Sequence, residues 1–165
     1  MSQNDIQRRE AGGGEARFPE NLVMPDAEVI LYRTFFSEPQ SDTFLRELLE
    51  TTNWRQEKIK FFGKPVDLPR LTAWYGDEGK SYRYSGIQVN PDPWTPTLLA
   101  IKQEIEAVSG VVFNSVLLNL YRGERDSVAW HSDDEPELGT NPVIGSVSFG
   151  ETRTFQLRHK KNKEL

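Results

Sequence analysis

The chain has 165 residues, a formal net charge of -5, 36% hydrophobic residues and no cysteine. That length suits one domain with a sizeable core. The missing cysteines exclude disulfides and thiolate metal sites, so any metal must be held by imidazole and carboxylate, and the acidic balance argues against coating nucleic acid by bulk charge while leaving room for a local basic groove.

No apolar run reaches the length of a membrane helix, and the N-terminal stretch lacks the apolar core of a secretory signal. A cytoplasmic location is expected, with the nucleus as the eukaryotic variant. Residues 1–17 include "AGGGEA" and read as a flexible tail with little to bury. Residues 18–165 read as the folded domain.

"EVILYRTFF" reads as a strand rich in branched and aromatic residues. In "SEPQSDTFLRELLE", Phe44, Leu45, Leu48 and Leu49 fall on one helical face, which predicts a helix near 38–50. From Trp54 to Gly86 the pattern is extended and aromatic, with "FFGKP" as a hairpin tip. "TPTLLAIKQEIEAVSG" predicts a second helix near 96–109. There Thr95 can cap, Pro96 suits the first turn and Gly110 closes the end. Leu98, Ile101, Lys102, Ile105 and Val108 lie on or near one stripe. After Gly110, "VLLNLY", "SVAWH", "PVIGSVSFG" and "TRTFQLRH" read as short strands between polar or glycine-containing turns, a texture of sandwiches and barrels. The expected plan is helices first, then an antiparallel β core.

Three constellations carry chemistry. "WHSDDEPELG" sets His131 among Asp133, Asp134, Glu135 and Glu137, in a chain with only two histidines. It fits a metal site, a catalytic acid cluster or a solvated acidic loop. His131 and Asp133 are two apart, so on a strand they offer imidazole and carboxylate on one face. With a second histidine, such a pair completes the facial triad of non-haem Fe(II). Asn119 and Tyr121, also two apart, bring an amide and a phenol into an apolar strand. They fit a polar co-substrate, or ordinary bonds to backbone and water. Trp74, Tyr75, Tyr82 and Tyr84 are interleaved with Arg55, Lys58, Lys60, Lys64, Arg70, Lys80 and Arg83. Between Asn53 and Arg83 seven basic residues face four acidic ones. Rings amid cations suit single-stranded or flipped bases, and equally an aromatic core with a basic edge.

"PRLTAWYGD", "YRYSG", "FNSVLLNLYRGERDSVAWHSDDEPELG" and "PVIGSVSFGETRTFQLRHK" together resemble the AlkB family, in order and in spacing, over roughly Pro69 to Lys160. The resemblance implies an Fe(II)- and 2-oxoglutarate-dependent dioxygenase that uses O2 to demethylate alkylated bases such as 1-methyladenine and 3-methylcytosine in DNA or RNA. It implies an α+β, mainly β fold: a double-stranded β-helix, or jelly roll, preceded by nucleotide-recognition helices and hairpins. By the same resemblance His131 and Asp133 are iron ligands, and Asn119 and Tyr121 bond 2-oxoglutarate. Tyr84 stacks on the flipped base with Tyr82 and Ser85 nearby, Arg70 lines the lesion pocket, and Asp134 and Glu135 meet the base edge. "FFGK" resembles the hairpin of the duplex-repair branch, with Phe62 as a wedge in the base stack, whereas "WHSDDEP" looks more like the branch that favours single strands and RNA.

The family's third iron ligand and its 2-oxoglutarate arginine are expected beyond Leu165. On that expectation the chain lacks C-terminal strands, is poorly soluble alone and does not turn over 2-oxoglutarate. His159 is not assigned as a ligand. A non-catalytic nucleic-acid-binding remnant of the same fold is the alternative reading, and an acidic Ca2+ loop a distant third, without the glycine turn of such loops. A monomer with no membrane partner is expected.

Overall fold

The computed structural model describes residues 19–79, 82–84, 87–133 and 138–162. The tail read at 1–17 lies outside them, as do Ser85, Asp134 and Glu135. Among the described residues the architecture is α+β: two helices and four small sheets. The chain divides into two compact units, residues 1–45 with 149–165, and residues 46–148.

In the first unit, β1 (Pro19–Met24) and β2 (Ala27–Tyr32) form an antiparallel hairpin with Met24 opposite Ala27. Its two-residue turn is Pro25–Asp26. Proline pre-sets the first turn position, and Asp26 adopts φ 56° at the second, a conformation that Asp tolerates. A chain of rings follows. Phe36 is buried, and its ring meets Phe35 at 4.8 Å, Phe44 at 5.2 Å and Phe149 at 5.7 Å between centroids. Phe44 lies on helix α1 (Glu38–Thr51), whose C-terminal part belongs to the second unit and buries Leu48.

The second unit is built on β5 (Leu71–Gly76). It is the central strand of a three-stranded sheet, with β8 (Asp92–Pro93) parallel on one side and β9 (Ser115–Leu120) antiparallel on the other. Four of its six residues are buried, as expected for a strand covered on both faces. Proline in β8 fits an edge, where its missing N–H breaks no ladder. Ala73 and Tyr75 on β5 and Leu118 on β9 belong to the core, as do Leu98 and Ile101 of helix α2 (Pro96–Ser109). The Tyr75 hydroxyl accepts from the Asn53 backbone N–H at 2.9 Å. Helix α2 has the predicted ends. Thr95 accepts from the Leu98 N–H, Pro96 stands at the start, and Gly110 closes it in the left-handed region with φ 67°. The Glu106 carboxylate accepts from the Phe113 N–H at 2.7 Å, tying the helix to the lead-in of β9. A further hairpin, β3 (Lys58–Phe61) with β4 (Lys64–Asp67), and an antiparallel pair, β6 (Tyr82–Tyr84) with β7 (Ile87–Val89), lie in the same unit.

Both predicted helices and the "VLLNLY" strand stand where the sequence put them. Hairpin strand β1 was not foreseen, and β2 ends at Tyr32 rather than running to Phe36. "SVAWH", "PVIGSVSFG" and "TRTFQLRH" enter no ladder among the described residues. Branched and aromatic content favours extended backbone, but a strand exists only when a partner takes up its N–H and C=O groups.

Gly76 is fixed by its surroundings. A Cβ there would meet the Asn114 carbonyl oxygen at 2.9 Å and the Ser115 Cβ at 3.0 Å, whereas one on Gly123 would meet nothing within 4 Å. Gly76→Ala is expected to lower stability by about 1–3 kcal/mol, because backbone cannot give way as a flexible side chain can. Gly123→Ala should leave it unchanged or raise it modestly. Urea unfolding of both variants measures the difference; equal midpoints would remove the close approach as the cause.

Candidate functional site

Most described candidate residues lie in the second unit, along β5, β9 and the segment that follows. In the β5–β9 register Thr72 faces Asn119. Directly opposed residues share a sheet face, and Arg70, two residues before Thr72, reaches diagonally across it. Its Nε donates to Asn119 Oδ1 at 2.7 Å, and its Nη1 donates to the Ser127 carbonyl at 3.4 Å. The Ser127 N–H in turn donates to the Pro69 carbonyl at 2.8 Å. The corner before β5 thus holds both Asn119 and the approach to His131. Tyr121 follows directly after β9 and is half-buried.

Between β9 and His131 the chain makes a loop locked by its own charges. Arg122 Nε donates to Asp126 Oδ2 at 2.7 Å and Nη2 donates to Oδ1 at 3.1 Å, a bidentate pair. Arg122 Nη1 donates to Gln56 Oε1 at 3.0 Å, and Gln56 Nε2 donates to the Leu68 carbonyl at 2.8 Å. The Asp126 hydrogen bond raises the Arg122 pKa above its ordinary value; burial opposes this, and the charges of Asp126 and Asp67 add to it. The guanidinium therefore stays charged at any working pH. Sequence reading missed this loop as a device. Its signal was available: opposite charges four apart, in "RGERD".

His131 and Asp133 come together. The His131 ring Nδ1 lies 2.9 Å from the Ala129 carbonyl oxygen, and Nε2 lies 3.7 Å from Asp133 Oδ1. A carbonyl accepts only, so Nδ1 carries a proton and donates it, and Nε2 is the ring nitrogen that faces Asp133. A backbone carbonyl holding the second nitrogen is the usual way in which a ligand imidazole is oriented. Both side chains are about half exposed, which leaves room for other ligands. Two donors each about 2.1 Å from one ion can be no more than about 4.2 Å apart, and 3.7 Å is inside that limit. Nitrogen and oxygen donors suit Fe(II), and the pair fits a metal on these grounds. No group of three or more His, Asp or Glu side chains gathers among the described residues.

His159 belongs to the first unit, with both ring nitrogens engaged. Nδ1 accepts from the N–H groups of Lys161 and Asn162 at 3.2 and 2.8 Å, so Nε2 carries the proton and donates to Asp26 Oδ2 at 3.2 Å. These bonds tie it to the β1–β2 turn.

Phe62 sits at the tip of the β3–β4 hairpin, where Phe61 faces Lys64 across a two-residue turn. Phe62 and Gly63 have φ 47° and 78°, the signs of a type I′ turn. Gly63 suits its position. Phe62 is a bulky residue in the left-handed region, and it is 92% exposed. Lys58, Lys60 and Lys64 line the two strands. Tyr82 and Tyr84 form the ends of β6, opposite Val89 and Ile87.

Residues 28–165 match the 2OG-Fe(II) oxygenase superfamily. The chain is 46% identical over 139 residues to alpha-ketoglutarate-dependent dioxygenase alkB homolog 3 of Homo sapiens, covering 84% of this chain and 48% of that protein. It is 36% identical over 162 residues to DNA oxidative demethylase ALKBH2 of Homo sapiens, covering 94% and 62%. For the Mus musculus protein of that name the identity is 38% over 167 residues, covering 92% and 70%. The chain belongs to the AlkB family. It spans about half the length of the alkB homolog 3 relatives it matches.

In this AlkB chain the strained tip separates two effects of one side chain. Asparagine tolerates the left-handed region and is favoured at this turn position. Phe62→Asn is therefore expected to hold or raise stability, by up to about 1 kcal/mol. Thermal unfolding measures it. A clear fall in Tm would mean that the Phe62 ring supports the fold.

Proposed function

We propose that the chain is the major part of a catalytic domain for Fe(II)- and 2-oxoglutarate-dependent oxidative demethylation of N-methylated bases, 1-methyladenine and 3-methylcytosine, in DNA or RNA. The observation that carries this reading is the pairing of His131 Nε2 with Asp133 Oδ1 at 3.7 Å, with the Ala129 carbonyl fixing the imidazole. The family supports it, as do the activities for which the relatives are named. The described sheet then belongs to a double-stranded β-helix. The domain works as a monomer in the cytoplasm or nucleus.

In this reading His131 and Asp133 hold the metal, and Asn119 and Tyr121 bond 2-oxoglutarate. Bound there, Fe(II) supplies chemistry that couples decarboxylation of 2-oxoglutarate, to succinate and CO2, to insertion of one O2 oxygen atom into the N-methyl C–H bond. The resulting hydroxymethyl group leaves as formaldehyde, and the base nitrogen regains its ordinary valence. The chain's own residues do the rest. The Arg122–Asp126 clasp shapes the loop between the co-substrate strand and the metal pair. Tyr84 stacks on the flipped base, with Tyr82 and Ser85 beside it. Asp134 and Glu135 face the base edge, where their charge favours a cationic methylated base over a neutral one. Phe62 enters the stack of a duplex, and the lysines of its hairpin meet phosphate.

The direct test mixes the full-length polypeptide that carries this chain with methylated oligonucleotide, 2-oxoglutarate, Fe(II) and ascorbate. Formaldehyde and succinate should appear in equal amounts, and Asp133→Ala should abolish both. Binding without any turnover would favour the non-catalytic alternative. Tyr84→Ala should weaken binding of methylated oligonucleotide by about 1–3 kcal/mol, the worth of one base stacked on a ring, and leave metal affinity unchanged. Fluorescence anisotropy at fixed salt reads the first and metal titration the second; unchanged oligonucleotide affinity would remove Tyr84 from the base site. Phe62→Asn should impair binding to duplex more than to single strand. Equal losses on the two would argue against a wedge.

A further inference from the structure

Arginine is an awkward lining for a pocket that takes a cationic base. Its guanidinium is always charged, and like charges repel most where water is excluded. The same charge is favourable beside a dianion such as 2-oxoglutarate. The hydrogen bonds of Arg70 point the same way. Its Nε donates to Asn119 Oδ1 at 2.7 Å, and its Nη1 reaches the Ser127 carbonyl.

A side-chain amide has an accepting end and a donating end of nearly equal size, and only its partners decide which faces where. Guanidinium nitrogens donate and never accept. The end of Asn119 that meets Arg70 must therefore be its oxygen, and the NH2 is turned away from the arginine. Thr72, directly across from Asn119, is 2% exposed and its hydroxyl has no hydrogen-bond partner among the described residues. A buried hydroxyl is seldom left unpaired, so this face holds more polar capacity than the protein itself uses.

We propose that Arg70 is a positioning residue for the co-substrate. It locks the Asn119 amide with its NH2 facing the 2-oxoglutarate carboxylate, and its charge lowers the cost of bringing that dianion to the sheet. This rests on the reading that Asn119 serves 2-oxoglutarate.

The experiment measures 2-oxoglutarate binding by calorimetry to the full chain loaded with Mn(II), so no turnover is needed. Side-chain NMR of the Asn119 NH2, assigned by its loss in Asn119→Asp, is read on the metal-free chain. Arg70→Ala should weaken 2-oxoglutarate about tenfold or more, the scale of one charge-assisted hydrogen bond, and shift the Asn119 NH2 signals. Arg70→Lys keeps the charge but not the fork, so it should recover affinity only in part. Asn119→Asp still accepts from Arg70 but turns an acceptor and a negative charge toward the carboxylate. It should lose binding more severely than Arg70→Ala while keeping its Tm. The proposal is overturned if Arg70→Ala and Arg70→Lys bind within twofold of wild type while Asn119→Asp does not bind: Asn119 then serves without Arg70. If wild type and Asn119→Asp alike fail to bind, the co-substrate reading itself falls and takes this inference with it.

Discussion

The antiparallel ladder between β5 and β9 is the constraint on which the site depends. Its six pairs run from Leu71 opposite Leu120 to Gly76 opposite Ser115. Because side chains alternate across a strand, the ladder assigns every residue a face at once. One face receives Ala73, Tyr75 and Leu118, all buried. The other receives Thr72, Asn119 and the reach of Arg70. A slip of β9 by one residue would turn the Asn119 amide to the face of Tyr75 and carry Leu118 off it. Two devices oppose such a slip. Gly76 leaves no space for a shifted neighbour, and the Tyr75 hydroxyl is anchored by the Asn53 N–H.

Beyond the ladder, backbone carbonyls do what a further strand would otherwise do. The Ala129 carbonyl sets the His131 ring, the Ser127 carbonyl takes Arg70, and the Leu68 carbonyl takes Gln56. The Ala129 and Ser127 carbonyls have no ladder partner and would otherwise need water, and the Leu68 carbonyl also accepts from the Arg70 N–H at 2.8 Å. Gln56 links two of the corners, since its amide oxygen holds Arg122 while its nitrogen holds the residues just before β5. These bonds are exposed and individually weak. Their joint effect is to fix directions, and direction is what a donor lone pair needs before an ion arrives.

How much of this the sequence disclosed follows from the range of each signal. Helix α2 was legible to its ends because Thr95, Pro96 and Gly110 act within one turn of the backbone they cap. The β3–β4 hairpin was legible because a two-residue turn needs residues that accept positive φ, and Gly63 is one. The β9 strand was legible from its branched and leucine-rich run. Strand β1 was not, since "PENLVM" carries few strand formers and is paired only because the Pro25–Asp26 turn returns the chain onto it. The segments after Gly139 have strand-like composition, but pairing is a property of two segments and composition describes one. The residue pairs of the site were visible as spacing. His131 and Asp133 do come within 3.7 Å, but outside any ladder among the described residues, so the strand period that suggested the pair is not what joins it. The resemblance to the family gave them roles, and spacing alone did not. The link from Arg70 to Asn119 crosses 49 positions of sequence and depends on the β5–β9 register. No local pattern contains it.

The hairpin tip is where local rules and the rest of the chain disagree. Everything around Phe62 favours a tight turn: the paired strands, Gly63 at the second position and lysines that keep the edges in water. Asparagine or glycine would suit position 62 itself better, and a ring at 92% exposure gains little from burial in exchange for its strained backbone. A sequence shaped by stability alone would not keep this residue. Strain of this kind is commonly held at sites where a side chain must present itself to a partner. The turn then does mechanical work in advance, because a type I′ turn is short and stiff and gives the ring few ways to fold back onto its own strands. A longer, looser loop could carry the same phenylalanine, but it would lose the ring's orientation to chain entropy before any base stack was met.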